Sequence, residues 1–171
     1  MYETAAEVEG LDALLARSRR GASEHLRSIV GEDRTASAAQ VIEECSSMCT
    51  LSVATVTAAG EPRVSALDGH FLHGTWTFGT SRTSAKAHHL ARRSAVSVAF
   101  IDGERFGLFS HGRAQELEPG DGWFEETIEH WTRHYGSSPL SWGDVVMYRL
   151  VPSWMVAYRA DEQAPPTPSG T

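Results

Sequence analysis

From Thr80 to Lys86 the chain reads Thr-Ser-Arg-Thr-Ser-Ala-Lys, a hydroxyl-rich turn that carries two cations. It follows the apolar alternating run Trp76 to Gly79 and precedes a stretch with helical spacing through Ala87, Leu90 and Ala91. A strand that opens through such a turn into a helix start aims free backbone N–H groups and the positive end of the helix dipole at one point. Hydroxyl donors and a lysine turn that point into an anion site, and phosphate suits it because it accepts several donors at once. Ser and Thr are also the preferred N-caps, so a solvated, capped helix between two strands would use the same residues. Lys86 is the only lysine in the sequence, and Arg82, Arg92 and Arg93 are clustered near it.

Other chemistry-bearing residues are less specific. His130 and His134 have a two-ligand helical spacing, yet no third ligand stands at a recognised offset, so an exposed helix face is expected. His88 and His89 read as solvated helix residues beside the anion turn, and His70 and His73 as exposed residues flanking a hairpin. Cys45 and Cys49 precede a strand without further ligands nearby, which predicts free, partly buried thiols and no metal site. Trp142 and Trp154 are expected in core or subunit packing. No triad or carboxylate pair emerges, so no catalytic residue is assigned.

The elements that must position the turn are short strands. Cys49 to Val56 alternates with a period of two, Ala59-Gly60-Glu61-Pro62 is a turn, and strands follow at Arg63–His70 and Thr75–Gly79. Strands resume at Ala95–Ile101 and Arg105–Leu117, where Gly107 and Gly112 are candidate bulges. A helix over Trp123–Tyr135 precedes two final strands, Val145–Val151 and Ser153–Arg159, separated by Pro152. The fold class is therefore mainly β with flanking helices, an antiparallel barrel of six to seven strands with Greek-key order. Residues 1–34 form a helical arm, 35–160 the barrel domain and 161–171 a Pro-rich tail expected to be disordered.

Composition bounds the partners. A net charge of −7 argues against nucleic acid, which demands a broad cationic face. No window reaches the apolar length of a membrane span and the N-terminal stretch is acidic, so a cytoplasmic protein is expected.

Three segments, LSVATVTAAGEPRVSAL from Leu51, WTFGTSRTSAKAHHLARRSAVSVAF from Trp76 and GRAQEL from Gly112, occur in an order that resembles a known family. They are similar to the FMN-binding split-barrel superfamily, the pyridoxamine 5'-phosphate oxidase-like proteins and their flavin or deazaflavin oxidoreductase relatives. The resemblance implies an oxidoreductase that transfers hydride between bound FMN, or the 8-hydroxy-5-deazaflavin coenzyme, and a small organic substrate. It also implies a homodimer with cofactor sites between subunits. The cofactor phosphate would meet Ser81, Arg82, Ser84 and Lys86, with Thr80 on the phosphate or ribityl chain. The ring would lie along Ala54, Thr55, Val64, Ser65 and Ala66, and Trp154 or Tyr158 of a second subunit could cover it. Two positions depart from the pattern. Ser65 stands where the FMN-using vitamin B6 oxidases carry an arginine, and His89 replaces the asparagine before the helix leucine. The first departure is more like the deazaflavin-using branch, so both cofactors stay open. The alternative is a non-enzymatic protein that binds flavin or haem.

Overall fold

Strand β1 (Cys49–Val56) sets the pattern that the sheet repeats: Cys49, Leu51, Val53 and Thr55 are buried, whereas Thr50 and Ser52 are exposed. β2 (Pro62–Leu72) and β3 (Thr75–Ser81) follow as a meander, joined by a tight turn in which His73 has a φ of 53°. Helix α4 (Ala85–Arg92) then crosses to β4 (Ala95–Asp102) and β5 (Phe106–Glu116), and α5 (Gly122–Tyr135) leads into β6 (Val145–Arg159). The computed structural model describes residues 2–160; Met1 and the expected tail at 161–171 lie outside the described residues.

The strands close into a barrel in the order β1-β2-β3-β6-β5-β4, every neighbouring pair antiparallel. Closure is made by β1 on β4, where Ser52, Val53 and Ala54 pair with Ala99, Val98 and Ser97. The inside is filled by Leu51, Trp76, Phe78, Phe106, Leu108, Leu150 and Met155, all essentially inaccessible to solvent. Burying side chains of this size contributes about 1.5–3 kcal/mol each, so the filled interior dominates the stability of the fold.

The barrel has six strands because the two expected around Pro152 are one. Proline has no N–H to give the ladder, and β6 accommodates it with a bulge: His111 pairs with Trp154 while Gly112 pairs with Pro152, leaving Ser153 as the extra residue. A Cβ on Gly112 would lie 2.2 Å from the Val151 carbonyl oxygen and 2.9 Å from Pro152 Cα, so the close approach requires glycine. Gly107, the other candidate bulge, stays in register and instead lies under the Tyr158 ring.

Three helices precede the barrel. α1 (Ala5–Arg20) begins at a capping box between Thr4 and Glu7 and buries Leu11, Leu14 and Leu15. α2 (Glu24–Ile29) is capped by Ser23, and α3 (Ala38–Glu44) by Ser37 with Gln40. The arm packs on the barrel: the buried Ser18 hydroxyl accepts the Met155 N–H of β6 at 2.9 Å, and Asp12 accepts the first N–H of α3, from Ala38, at 2.8 Å. Among the described residues no helix is long and apolar enough to cross a membrane.

The variant G112V forces a side chain into the β5–β6 bulge. It is expected to lower the unfolding free energy by about 3 kcal/mol in urea titration, as overpacking of a tight contact does. An unchanged midpoint would show that the bulge adjusts freely.

Candidate functional site

The hydroxyl-rich turn folds as its residue types dictate. β3 ends at Ser81, and Ser84 becomes the N-cap of α4, its Oγ accepting the Ala87 N–H at 3.2 Å. Thr80 Oγ1 lies 3.1 Å from Ser84 Oγ, and Ser81 Oγ lies 2.9 Å from Thr83 Oγ1. The first intrahelical partner is the Ser84 carbonyl, taken by His88, so the amides of Ala85 and Lys86 are left at the helix start. Lys86 is half-buried and makes no ion pair among the described residues.

Arg82 is positioned differently. Its guanidinium reaches Glu116 at 2.8 Å and Asp144 at 3.4 Å, and its backbone N–H donates to the Asp144 carbonyl. The hydrogen bond to Glu116 raises its pKa and spends its charge on the β3–β5–β6 rim. Of the two cations in the turn, Lys86 is thus the one without a carboxylate partner.

A groove of about 380 Å3 opens beside the turn on the outer face of β2 and β3. Ala66, Asp68, Gly79, Thr80 and Ser81 line one side, Met147 and Val145 another, and Trp131 with Trp142 form a wall. The register places Ala54 opposite Val64, Ser52 opposite Ala66 and Thr50 opposite Asp68 on this outer face. Ala66, Thr80 and Ser81 therefore lie in the groove, with Ala54 and Val64 farther along the same face. Ser84 and Lys86 stand at the helix start. Thr55 and Ser65, which alternate with these residues, face the other way. Thr55 is buried, and its Oγ1 lies 2.9 Å from His89 Nδ1, a bond that fastens α4 to β1 and explains His89 without a ligand.

The aromatic wall is not announced by the residues of the turn. It is built by Trp131 of α5 and by Trp142, which follows the short turn Pro139–Ser141, and α5 docks on β2 and β3 over the buried His70. Trp131 Nε1 donates to Thr77 Oγ1 at 3.3 Å, and the Trp131 ring stands 4.8 Å from that of His70. The Tyr135 hydroxyl donates to Asp68 at 2.9 Å. His70 was expected at the surface; it is 2% exposed, because α5 covers it. His130, expected on an open helix face, is half-buried with its ring centroid 4.6 Å from that of His70, whereas His134 stays exposed as expected, its ring 4.9 Å from His70. The hydrogen-bond partner of His130 is sixty residues upstream, where nothing local announces it.

A hydrogen-bonded chain links this cluster to the N-terminal arm. Arg133 can only donate, and it donates to the Tyr2 hydroxyl at 2.6 Å, while the same hydroxyl lies 2.9 Å from His130 Nδ1. His130 Nε2 and His70 Nδ1 share a hydrogen bond of 2.8 Å, and His70 Nε2 is buried without a partner among the described residues. Burial pushes the His70 pKa down to about 3, with the His130 and His134 charges adding to the shift.

His73, at the β2–β3 turn, is held between Glu7 of α1 at 3.0 Å and Glu126 of α5 at 2.9 Å. It too is less exposed than expected. Cys45 and Cys49 are buried free thiols, and no group of three potential ligands is arranged to hold a metal among the described residues. Trp154 stacks on His111 at 4.6 Å, away from the groove on β5 and β6.

A barrel of this strand order, with the turn and helix α4 inserted between β3 and β4, matches a family model. Residues 35–155 fit the pyridoxamine 5'-phosphate oxidase model, which covers β1 to β5 and most of β6. The chain belongs to the pyridoxamine 5'-phosphate oxidase family. Its structure is similar to a conserved hypothetical protein from Mycobacterium tuberculosis, with TM-score 0.66 and 22% identity over 82% of this chain and 96% of that one. It is similar to the heme storage protein HutZ from Vibrio cholerae, with TM-score 0.60 and 22% identity over 70% and 93%. An F420 reductase matches with TM-score 0.53 and 18% identity over 67% and 94%. No curated protein matches by sequence. At these identities the likeness to solved structures establishes the split-barrel fold. The family match further links the chain to a group that includes oxidoreductases.

The His70 shift has a definite sign. Its folded pKa lies below the ordinary 6.5, so between about pH 6.5 and pH 3 the unfolded chain binds more protons than the folded one. The stabilisation is full above pH 6.5 and is lost as pH falls toward 3. Urea titrations at stepped pH should show stability falling through this window, with a shallower slope in H70F. An identical slope in the variant would contradict the assignment.

Proposed function

We propose that the protein is a flavin-dependent oxidoreductase. In this reading the groove holds the ring of FMN or of the 8-hydroxy-5-deazaflavin coenzyme, and Lys86 with the hydroxyl turn holds its phosphate. The observation that carries the reading is the juxtaposition of a cation lacking a carboxylate partner, a capped helix start and an apolar groove at the end of one strand. The donor set fits a single phosphate: Lys86 supplies charge, Thr80, Ser81 and Ser84 supply hydroxyls, and the α4 start supplies amides. The wall of Trp131 and Trp142 and the floor at Ala66 and Gly79 suit a flat ring. Arg82 contributes through the rim and not through the phosphate, because Glu116 and Asp144 hold it.

When bound, the cofactor supplies hydride transfer to or from a small organic substrate, and the protein supplies position and exclusion of water. That division of labour accounts for a site whose side chains bind rather than react. Ser65, pointing away from the groove, leaves a single cation at the phosphate, which favours neither cofactor. A homodimer belongs to the same proposal. Val64 is 71% exposed and Trp142 43% exposed beside the groove, apolar side chains that a second subunit would cover. Trp154 and Tyr158 are the outward aromatics that the partner would bring. Free, buried Cys45 and Cys49 support a reducing, cytoplasmic setting.

K86A should weaken binding of FMN, or of the deazaflavin coenzyme, by about ten- to a hundredfold, as loss of a charge-assisted hydrogen bond does. R82A should change it by less than about threefold, since its charge is spent on two carboxylates. Fluorescence titration of both cofactors against both variants checks this. Equal losses in K86A and R82A would contradict the site. A Soret band in the purified protein, with no flavin binding, would favour the haem-binding alternative.

A further inference from the structure

We propose that the N-terminal arm adds a second ligand site, a pocket for a small organic monocarboxylate whose charge is held by Arg19. The pocket has a volume of about 200 Å3 and lies between α1, the segment leading into α3, and β6. That is below the roughly 300 Å3 at which drug-sized sites begin, so its occupant is a molecule the size of a six-carbon acid. Leu15, Ala16, Val30, Ala36 and Val156 give it apolar walls. Only α1 and Val30 precede residue 35, where the family match starts, and they bring the charge and most of the floor.

Arg19 is the group that calls for a ligand. Its Nε is buried, and among the described residues it has no hydrogen-bond partner and the side chain makes no ion pair. A guanidinium keeps all its hydrogens and can only donate, so this donor calls for an acceptor that the described residues do not supply. A carboxylate matches the forked geometry and the charge.

The opposite end of the pocket fixes the orientation. Asp12, two helical turns before Arg19 and roughly 10 Å away along α1, is committed through Oδ1 to the Ala38 N–H. Its negative charge repels an anion there, so the ligand's carboxylate lies at Arg19 and its hydrocarbon part against Leu15 and Val156. Thr35 brings no free donor, since its hydroxyl donates to the Glu32 carbonyl. The walls are held in place by the Ser18 bond to Met155 and by the bridge between Thr35 and Tyr158, so the pocket exists before the ligand arrives.

The test is a titration of the full chain, 15N-labelled, with sodium hexanoate and separately with hexanamide. Hexanoate should give saturable shifts at Leu15, Ala16, Val156 and Ala157, with hexanamide at least tenfold weaker. R19Q should weaken hexanoate binding at least tenfold. A16L, an exposed helical position where leucine preserves α1, should abolish it by filling the pocket, and this variant carries the test if R19Q does not fold. Equal responses to acid and amide, unchanged hexanoate binding in R19Q or A16L, or saturable shifts confined to Ala66 and Thr80 would overturn the proposal.

Discussion

Closure of β1 onto β4 is the constraint on which the rest of the molecule depends. A six-stranded barrel encloses only enough space for its own side chains, and here Trp76, Phe78 and Phe106 occupy it. Ligand chemistry is thereby displaced to the outer faces and to the turns at the barrel ends. The β3–α4 turn is the place where a strand edge, a helix start and the lysine coincide, and the barrel holds it still from both sides through Thr55–His89 on β1 and Arg82–Glu116 on β5. Two additions to the barrel then make concave surfaces from convex ones. Helix α5 and the segment after it raise a tryptophan wall beside the turn, and the arm of α1 roofs the far side of β6.

The wall is only as firm as the docking of α5. Burying His70 under α5 requires its ring to be neutral, and the chain from Arg133 through Tyr2 and His130 ties it to the helix. The N-terminal arm enters this network at both Tyr2 and Glu7, so arm, hairpin and α5 form one mechanical unit. The solved relatives include a heme storage protein and an F420 reductase at similar likeness. A shared barrel therefore says little about which ligand is held, and the side chains of each groove decide it.

Much of the fold was legible because strand alternation and helix caps are local. Cys49 to Val56, the Ser84 cap and the stop at Gly21 follow from neighbouring residues alone. The turn at Thr80–Lys86 was legible for the same reason. Arg82 was not, because the carboxylates that hold it stand on β5 and before β6, and nothing near position 82 announces them. His70 looked like a hairpin residue until a helix sixty residues later covered it. Pro152 reads as a strand break in isolation and becomes a bulge only because Gly112 faces it. The alternation of β2 also divided the expected ring-binding residues between two faces, leaving Ser65 and Thr55 turned away from Ala66.

In the proposed function, Lys86 and its turn hold the phosphate of a flavin lying in the groove. The most direct test compares two ligands that differ only in that group, by titrating the cofactor-free protein with FMN and with riboflavin. The account predicts that FMN binds at least tenfold more tightly and that inorganic phosphate removes most of the difference. Equal affinities for FMN and riboflavin, or no binding of either form alongside none of the deazaflavin coenzyme, would contradict it.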